Sequence, residues 1–366
     1  MIINIASLGG RTHLLDTARE LAKYGHVVRF YSYVPTKRAM KYGLPKESSY
    51  TLFYLVFPFL VLFKLFGFGG WREYLYNKYC DILLAYYMKP CDVFIGQSPL
   101  HYYSIKRAKK KFGALTILER GTIHVLDYQK RLESAGLKPQ NRKLIIRDLK
   151  GYNNPDYISV GSIQVRDSLV KYGIPSPKIF VNNYGFNPQY FSPTVLQKNN
   201  FDLLMVGRWS KMKGADIILE ACKNKGYSFL HVGGLVDPFP TLSNMQHLDS
   251  IDEQMLYKYY AKARVFVLPS RCEGLALVQL QAMACGLPIV CSAYSGGRDL
   301  KKYIKEGEWI FEMKEFSVSE FIRNVDIALH ISTTQIGERS YLNDKFAKAS
   351  WKGYGERYHL FLQNTL

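Results

Sequence analysis

Short, nearly continuous apolar runs alternate along this chain with stretches whose apolar residues recur every three to four positions. In the first half the runs MIINIAS (1–7), HVVRFYS (26–32), CDVFIGQ (91–97), ALTILER (114–120) and DYISVG (156–161) read as strands, and THLLDTARELAKYG (12–25) reads as a helix. The second half repeats the theme. FDLLMVGR (201–208), YSFLHVGG (227–234), RVFVLPS (264–270) and LPIVCS (287–292) read as strands. GADIILEACKNKG (214–226), DEQMLYKYYAKA (252–263) and LALVQLQAMACG (275–286) read as helices. Strands alternating with helices predict βαβ units around a parallel sheet. Two such series in one chain predict an α/β fold of two Rossmann-like domains whose parallel sheets face a central cleft. Asn, Gly and Pro cluster without periodicity between 181 and 200, which marks the joint. The expected division is 1–190, 191–345, and a terminal segment 346–366 in which FAKASWKGYGERYHLFLQ reads as an amphipathic helix. Ligands in open α/β folds bind at the carboxyl ends of the strands, so the cleft is the place to look for chemistry.

One apolar stretch does not fit the alternation. Residues 51–71 (TLFYLVFPFLVLFKLFGFGGW) hold eight aromatic side chains and a single charge, Lys64. Their uninterrupted part, 51–63, has 13 residues with Pro58 inside, where a spanning helix needs about 20. Three readings stand: a monotopic segment in the headgroup region, a buried core or dimer segment, and a span. Flanking Lys37, Arg38, Lys41, Lys46, Arg72 and Lys78 favour the first, because basic residues beside an apolar segment add attraction to anionic lipid.

Charge changes the picture further. The net charge is +19, and residues 1–190 hold 28 Lys and Arg against 12 Asp and Glu, so nearly all of the surplus belongs to the first half. It is densest at KRAKKK (106–111) and RKLIIRDLK (142–150). A one-sided basic surface suits a polyanionic partner such as an anionic membrane or a phosphorylated substrate. A nucleic acid would suit it too, but no recognised binding motif accompanies the charge. Six cysteines form no CxxC pair and eight histidines no HxxxH, which argues against zinc and for buried thiols in a reducing compartment. The chain opens directly on a strand and a glycine turn with no signal peptide ahead of it, so the expected location is the cytoplasm, with a peripheral place on the cytoplasmic face of a membrane.

The candidate chemistry sits at strand ends. Arg208 closes a strand and Lys213 follows in GRWSKMKG, just before a helix; two cations beside a helix N-terminus suit a diphosphate. In SAYSGGRDL (292–300), Ser295, Gly296 and Gly297 follow another strand, where paired glycines let the backbone approach a phosphate or sugar. The matching turn of the first half, LGGRTH (8–13), holds Gly9 and Gly10 without a full GxGxxG pattern. In PSRCEGLALVQLQAMACG (269–286), Glu273 opens an otherwise apolar helical run and Gln281 lies about two turns further on the same side. A carboxylate facing the cleft accepts bonds from hydroxyls, and hydroxyl-rich ligands carrying a diphosphate are nucleotide sugars.

The run GRWSKMKG … VFVLPSRCEGLALVQLQAMACGLPIVCSAYSGGRDL resembles the donor domain of retaining, metal-independent glycosyltransferases of the GT-B architecture, the group 1 family with a pair of glutamates separated by seven residues. The likeness is specific over 201–311 and weaker over 1–190. It implies Glu273 near the donor sugar hydroxyls and Arg208 with Lys213 as the diphosphate clamp. It also implies donor contacts from Gly9, Gly10, Gly274, Leu275, Ser295, Gly296 and Gly297, and a terminal helix that crosses back onto the first domain. The second glutamate of the pair falls on Gln281, which keeps an acceptor oxygen for the ribose but loses the charge. LERGTIHVL (118–126) matches a strand end followed by the family's cleft histidine, here His124, with Glu119 and Arg120 as weaker candidates.

The expected reaction is therefore transfer of a hexose or N-acetylhexosamine from a UDP- or GDP-sugar to a hydroxyl of a glycan acceptor. No cofactor and no metal are expected, since no DxD occurs in the chain. The basic first half and residues 51–71 suggest a lipid-linked glycan acceptor in cell-surface polysaccharide synthesis and an anionic membrane surface as a further partner. A catalytically inactive sugar- or nucleotide-binding protein of the same fold, and a nucleotide-sugar epimerase, are the alternatives.

Overall fold

In the computed structural model the described residues are all but 10, 11, 68, 198–200, 306 and 336. The first half holds β1 (Ile2–Ser7), β2 (Val27–Ser32), β3 (Ser49–Thr51), β4 (Val93–Gln97), β5 (Leu115–Arg120), β6 (Tyr157–Val160) and β7 (Ile179–Val181). They form one parallel sheet in the order β3-β2-β1-β4-β5-β6-β7. Between them run α1 (His13–Ala22), α2 (Thr36–Met40), α3 (Phe53–Phe66), α4 (Trp71–Tyr87), α5 (Tyr103–Phe112), α6 (Val125–Ser134), α7 (Arg142–Gly151) and α8 (Ile163–Lys171). Ile3, Ile5, Val93, Ile95 and Ile117 of the central strands are fully buried, as a sheet covered on both faces requires.

The second half follows the short strand β8 (Thr194–Val195) with β9 (Phe201–Val206), β10 (Phe229–Val232), β11 (Met245–Leu248), β12 (Ala263–Leu268), β13 (Ile289–Ser292) and β14 (Ile310–Met313). The last six make a second parallel sheet, ordered β11-β10-β9-β12-β13-β14. Its helices are α9 (Ala215–Lys225), α10 (Tyr257–Tyr260), α11 (Leu277–Ala284) and α12 (Val318–Ser332). β15 (Glu338–Arg339) then pairs antiparallel with β8 beside the joint. The α/β reading with two parallel sheets is thus what the chain adopts.

The terminal helix α13 (Trp351–Thr365) lies against α1. Tyr354 and Tyr358 are fully buried there: Thr17 donates to the Tyr354 hydroxyl at 3.2 Å, and the Tyr358 hydroxyl donates to Glu119 Oε1 at 3.1 Å. Phe361 stacks on Phe180 at 4.0 Å between ring centres. The end of the chain is thereby built into the core of the first domain.

Within 51–71, Thr51 ends β3, Phe53–Phe66 form α3 with Pro58 inside it, and Trp71 opens α4. No helix among the described residues is long and apolar enough to cross a membrane.

Candidate functional site

In each sheet the strand order reverses once, between β1 and β4 and between β9 and β12. Such switch points open a crevice because the connections on either side depart in opposite directions. Here both crevices face one cavity of about 480 Å³ between the domains. Leu8, His13, Gln97, Ser98, Glu119 and Arg120 line it from the first domain, together with Glu73, Asn77 and Tyr128. Arg208, Ser210, Met212, Lys213, Cys272, Glu273 and Gly274 line it from the second.

The loop carrying Arg208 and Lys213 is held rigidly. Trp209 N–H donates to Gly234 O at 2.9 Å, Lys211 N–H donates to Asp237 Oδ2 at 2.6 Å, and Arg271 N–H donates to Met212 O at 2.8 Å. Gly214 ends it in a left-handed conformation, φ 81°, where an added Cβ would sit 2.1 Å from Pro269 O. Only glycine meets both conditions, and the turn aims Lys213 at the cavity as α9 begins. Arg271 braces the same corner through two bonds of 2.7 Å to Asp216.

Glu273 meets Lys213 directly. Its Oε1 accepts from Lys213 Nζ and from Ser270 Oγ at 3.0 Å, and both bonds fall on that one oxygen. The corner itself is pressed against the first domain: a Cβ on Gly274 would lie 2.1 Å from Gly121 O, and Ser162 Oγ donates to Gly274 O at 2.7 Å. Thr122 Oγ1 and Cys272 Sγ are 3.3 Å apart, and Arg131 lies 3.7 Å from the centre of the Tyr294 ring. The two domains therefore meet at the rim of the cavity.

Not every residue singled out in the sequence reaches this cavity. His124 corrects the expectation of a cleft histidine: it is 2% exposed and caps α6, its Nδ1 accepting from Leu126 N–H at 3.3 Å. Its ring stacks on Tyr172 at 4.2 Å and lies 4.8 Å from Tyr152. Burial, with the Arg120 charge added, pushes its pKa down to about 4, so it is a neutral acceptor at pH 7. The physical reason is the path after β5: the chain turns at Gly121, and Ile123 and His124 enter the core instead of the cleft. Arg120 touches the cavity but is spent on Asp148, Thr122 O and Ile123 O.

Gln281 is 6% exposed and lies outside the wall of the cavity that holds Arg208. The Tyr260 hydroxyl donates to its Oε1 at 3.1 Å, and its Nε2 donates to Glu253 Oε1 at 3.2 Å. Glu253 in turn lines a second interdomain cavity of about 620 Å³, beside the joint and α1. The Ser295–Gly297 turn supports the Glu273 corner from beneath. Tyr294 O accepts from Glu273 N–H at 2.9 Å, Gln279 Nε2 donates to Ser295 Oγ at 2.8 Å, and Gly296 and Gly297 pack against Gly274 O and Cys291 Sγ. Leu275 is buried in the same corner. Gly9 follows Leu8, whose N–H donates to Gln97 Oε1 at 3.0 Å; Gly10 lies outside the described residues.

His13 and Tyr128 are among the cavity residues that sequence reasoning missed. His13 opens α1 with its Nε2 3.2 Å from Glu119 Oε2 and its ring 4.6 Å from that of Tyr184. Tyr128 projects from α6 into the cavity, its hydroxyl pKa raised by burial and sensing both Arg208 and Glu273. The signal for His13 was its place at the end of the LGGRTH turn, the counterpart of the loop before Lys213. Among the described residues no group of three or more His, Cys, Asp or Glu is arranged to hold a metal ion. The six cysteines are free and buried.

The solved structures most like this chain include sucrose-phosphate synthase from Thermosynechococcus elongatus, with a TM-score of 0.70 over 100% of this chain and 99% of that one at 16% identity. HepE of Anabaena in complex with UDP-glucose gives 0.65 over 100% of both chains at 11% identity. The fold is that of the GT-B glycosyltransferases. At such identities the likeness shows the fold alone. Residues 187–342 match the family model described as glycosyl transferases group 1, which places the Arg208, Lys213 and Glu273 loops inside the matched region. The amylovoran biosynthesis glycosyltransferase AmsK of Erwinia amylovora is 28% identical over 164 residues, 39% of this chain and 40% of that protein. An uncharacterized glycosyltransferase of Methanocaldococcus jannaschii is 24% identical over 68% of this chain and 76% of its own length. For AmsK and the first of the curated relatives, the match thus spans about two fifths of their length. The family match and the relatives together support a transferase enzyme.

Proposed function

We propose that the protein is a retaining glycosyltransferase of polysaccharide synthesis, moving a hexose or N-acetylhexosamine from a UDP- or GDP-sugar to a glycan hydroxyl. The observation that carries this reading is the convergence of Arg208, Lys213 and Glu273 on one interdomain cavity at the switch point of the second sheet. The cations suit the diphosphate; Glu273 Oε2, with both protein bonds on Oε1, suits sugar hydroxyls. The AmsK relative supports the polysaccharide context, and the UDP-glucose bound to HepE supports a nucleotide-sugar donor.

In this mechanism the bond between the anomeric carbon and the phosphate oxygen breaks. Negative charge builds on the departing diphosphate, and Arg208, Lys213 and the uncapped N-terminus of α9 stabilise it, so that side chains carry the charge without a metal. The acceptor oxygen attacks the anomeric carbon from the face the phosphate leaves, and its proton passes to the leaving phosphate oxygen. Retention follows from attack on that face. No step is assigned to His124.

The test is product analysis with a panel of nucleotide sugars and glycan acceptors. A new α- or β-linkage matching the donor's anomeric configuration supports the reading. Inversion refutes retention, a rearranged nucleotide sugar without transfer points to an epimerase, and tight donor binding without turnover points to a binding protein.

A further inference from the structure

α3 has 14 residues, of which Lys64 alone is charged. A helix apolar on every side belongs in a core or a membrane, yet one side of α3 faces outward. Tyr54 is 77% exposed and Leu65 71%, with Phe57, Val61 and Leu62 each more than a third exposed. The other side holds it in place: Val56 is fully buried, Phe59 and Phe63 meet Tyr79 and Tyr76 of α4 at 4.4 and 5.4 Å between ring centres, and the Tyr79 hydroxyl donates to Leu55 O at 3.2 Å. The outward face continues into Trp71 and Leu75 at the start of α4.

The charges around this face have one sign. Residues 51–90 carry Lys64, Arg72, Lys78 and Lys89, while their two acids point elsewhere: Asp81 is fully buried, and Glu73 lines the interdomain cavity. Lys143 of α7 lies 5.7 Å from the Tyr74 ring, which adds a cation from the neighbouring helix. Asn77 of α4 also lines the cavity, so α4 connects the apolar face to the mouth of the site.

We infer that α3 and the start of α4 form a docking surface for an anionic lipid bilayer, and that the cavity is thereby held against the bilayer to receive an acceptor carried on a lipid; the acceptor part rests on the transferase reading above. At 1.5 Å per residue α3 is about 21 Å long, short of the ~30 Å hydrocarbon core, so it lies along the interface rather than crossing it. Its aromatic side chains suit the level of the headgroups, and the cations beside it suit their phosphates. A second copy of the chain fits less well, because it would set the same cations against each other without a carboxylate between them.

The experiment is co-sedimentation of the purified full chain with vesicles of phosphatidylcholine alone and of equimolar phosphatidylcholine and phosphatidylglycerol, at low and high salt. The expected result is binding to the anionic vesicles at least tenfold above the neutral ones, weakened by salt. The double variant L62E/L65E should bind at least tenfold less than wild type and keep its thermal stabilisation by nucleotide sugar, which shows an intact fold and donor site. Equal binding by the variant would assign the attraction to the α5 lysines and overturn the inference. So would failure of the wild type to bind either vesicle, or self-association that the variant abolishes. Loss of donor stabilisation in the wild type itself would strike at the transferase reading and leave the vesicle result standing on its own.

Discussion

Lys213 stands between two possible partners, the Glu273 carboxylate that it meets and a diphosphate that would share the cavity. Charge-assisted bonds of this kind strengthen where negative charge grows in the transition state, so Arg208→Ala and Lys213→Ala should each lower kcat by about 100-fold or more. Near-normal turnover in either variant would remove that residue from the clamp. Gln281 carries a different expectation. Its amide already donates to Glu253, so Gln281→Glu would place two carboxylates about 3 Å apart and should weaken the fold, read as a lower urea midpoint. The paired exchange Q281E/E253Q should restore it, and a single Q281E as stable as wild type would contradict this expectation. His124 belongs to the fold: His124→Ala should lower stability by roughly 1 kcal/mol through loss of the α6 cap and leave kcat of the folded protein unchanged. Spacing picked out Arg208, Lys213 and Glu273 because each lies on the loop that follows a strand, β9 for the two cations and β12 for Glu273, and the structure brings all three to the cavity. His124 and His13 were harder to read: the path of the chain after Gly121 takes His124 into the core, and His13 reaches the cavity from the first turn of α1, both of which tertiary packing decides.

At the scale of elements, the central strands were readable and the edges were not. β3 and β7 flank the first sheet, β11 and β14 flank the second, and none of the four stands out as a strand in the sequence pattern. Each has only three or four residues, too few for a periodic signal. The helix at 53–66 posed the opposite problem: its composition left core, interface and span open, and only its packing on α4 shows which side turns outward. Corners proved as exacting as helices. Gly214→Ala would force a left-handed residue and a clash with Pro269 O, and should cost more than about 1 kcal/mol in urea unfolding. An unchanged midpoint would show that the loop relaxes without harm.

For the whole molecule, three histidines are buried and neutral in different places: His101 beside β4, His124 under α6 and His231 on β10. Burial pushes their pKa values down to about 3, 4 and 4, with Arg147, Arg120 and His247 adding repulsion. In the unfolded chain each returns to about 6.5. Stability from these groups is therefore complete above pH 6.5 and is lost as the pH falls towards their folded values, with a slope of up to about 1.4 kcal/mol per pH unit for each histidine. Urea midpoints measured from pH 7.5 to 4.5 should fall steadily, and His231→Phe should flatten the curve. A midpoint independent of pH over that range would mean that these histidines are protonated in the folded state.

The same scale holds the central claim, that two loops of the second domain and three of the first close around a nucleotide sugar. The most direct measurement is thermal stabilisation of the wild type and of Arg208→Ala across a panel of nucleoside diphosphates and their sugars. Saturation at about 100 times the dissociation constant should stabilise the wild type by roughly 2.7 kcal/mol, with one nucleotide class preferred and the shift lost in Arg208→Ala. Absence of a shift with every donor, or an equal shift in the variant, would contradict the account.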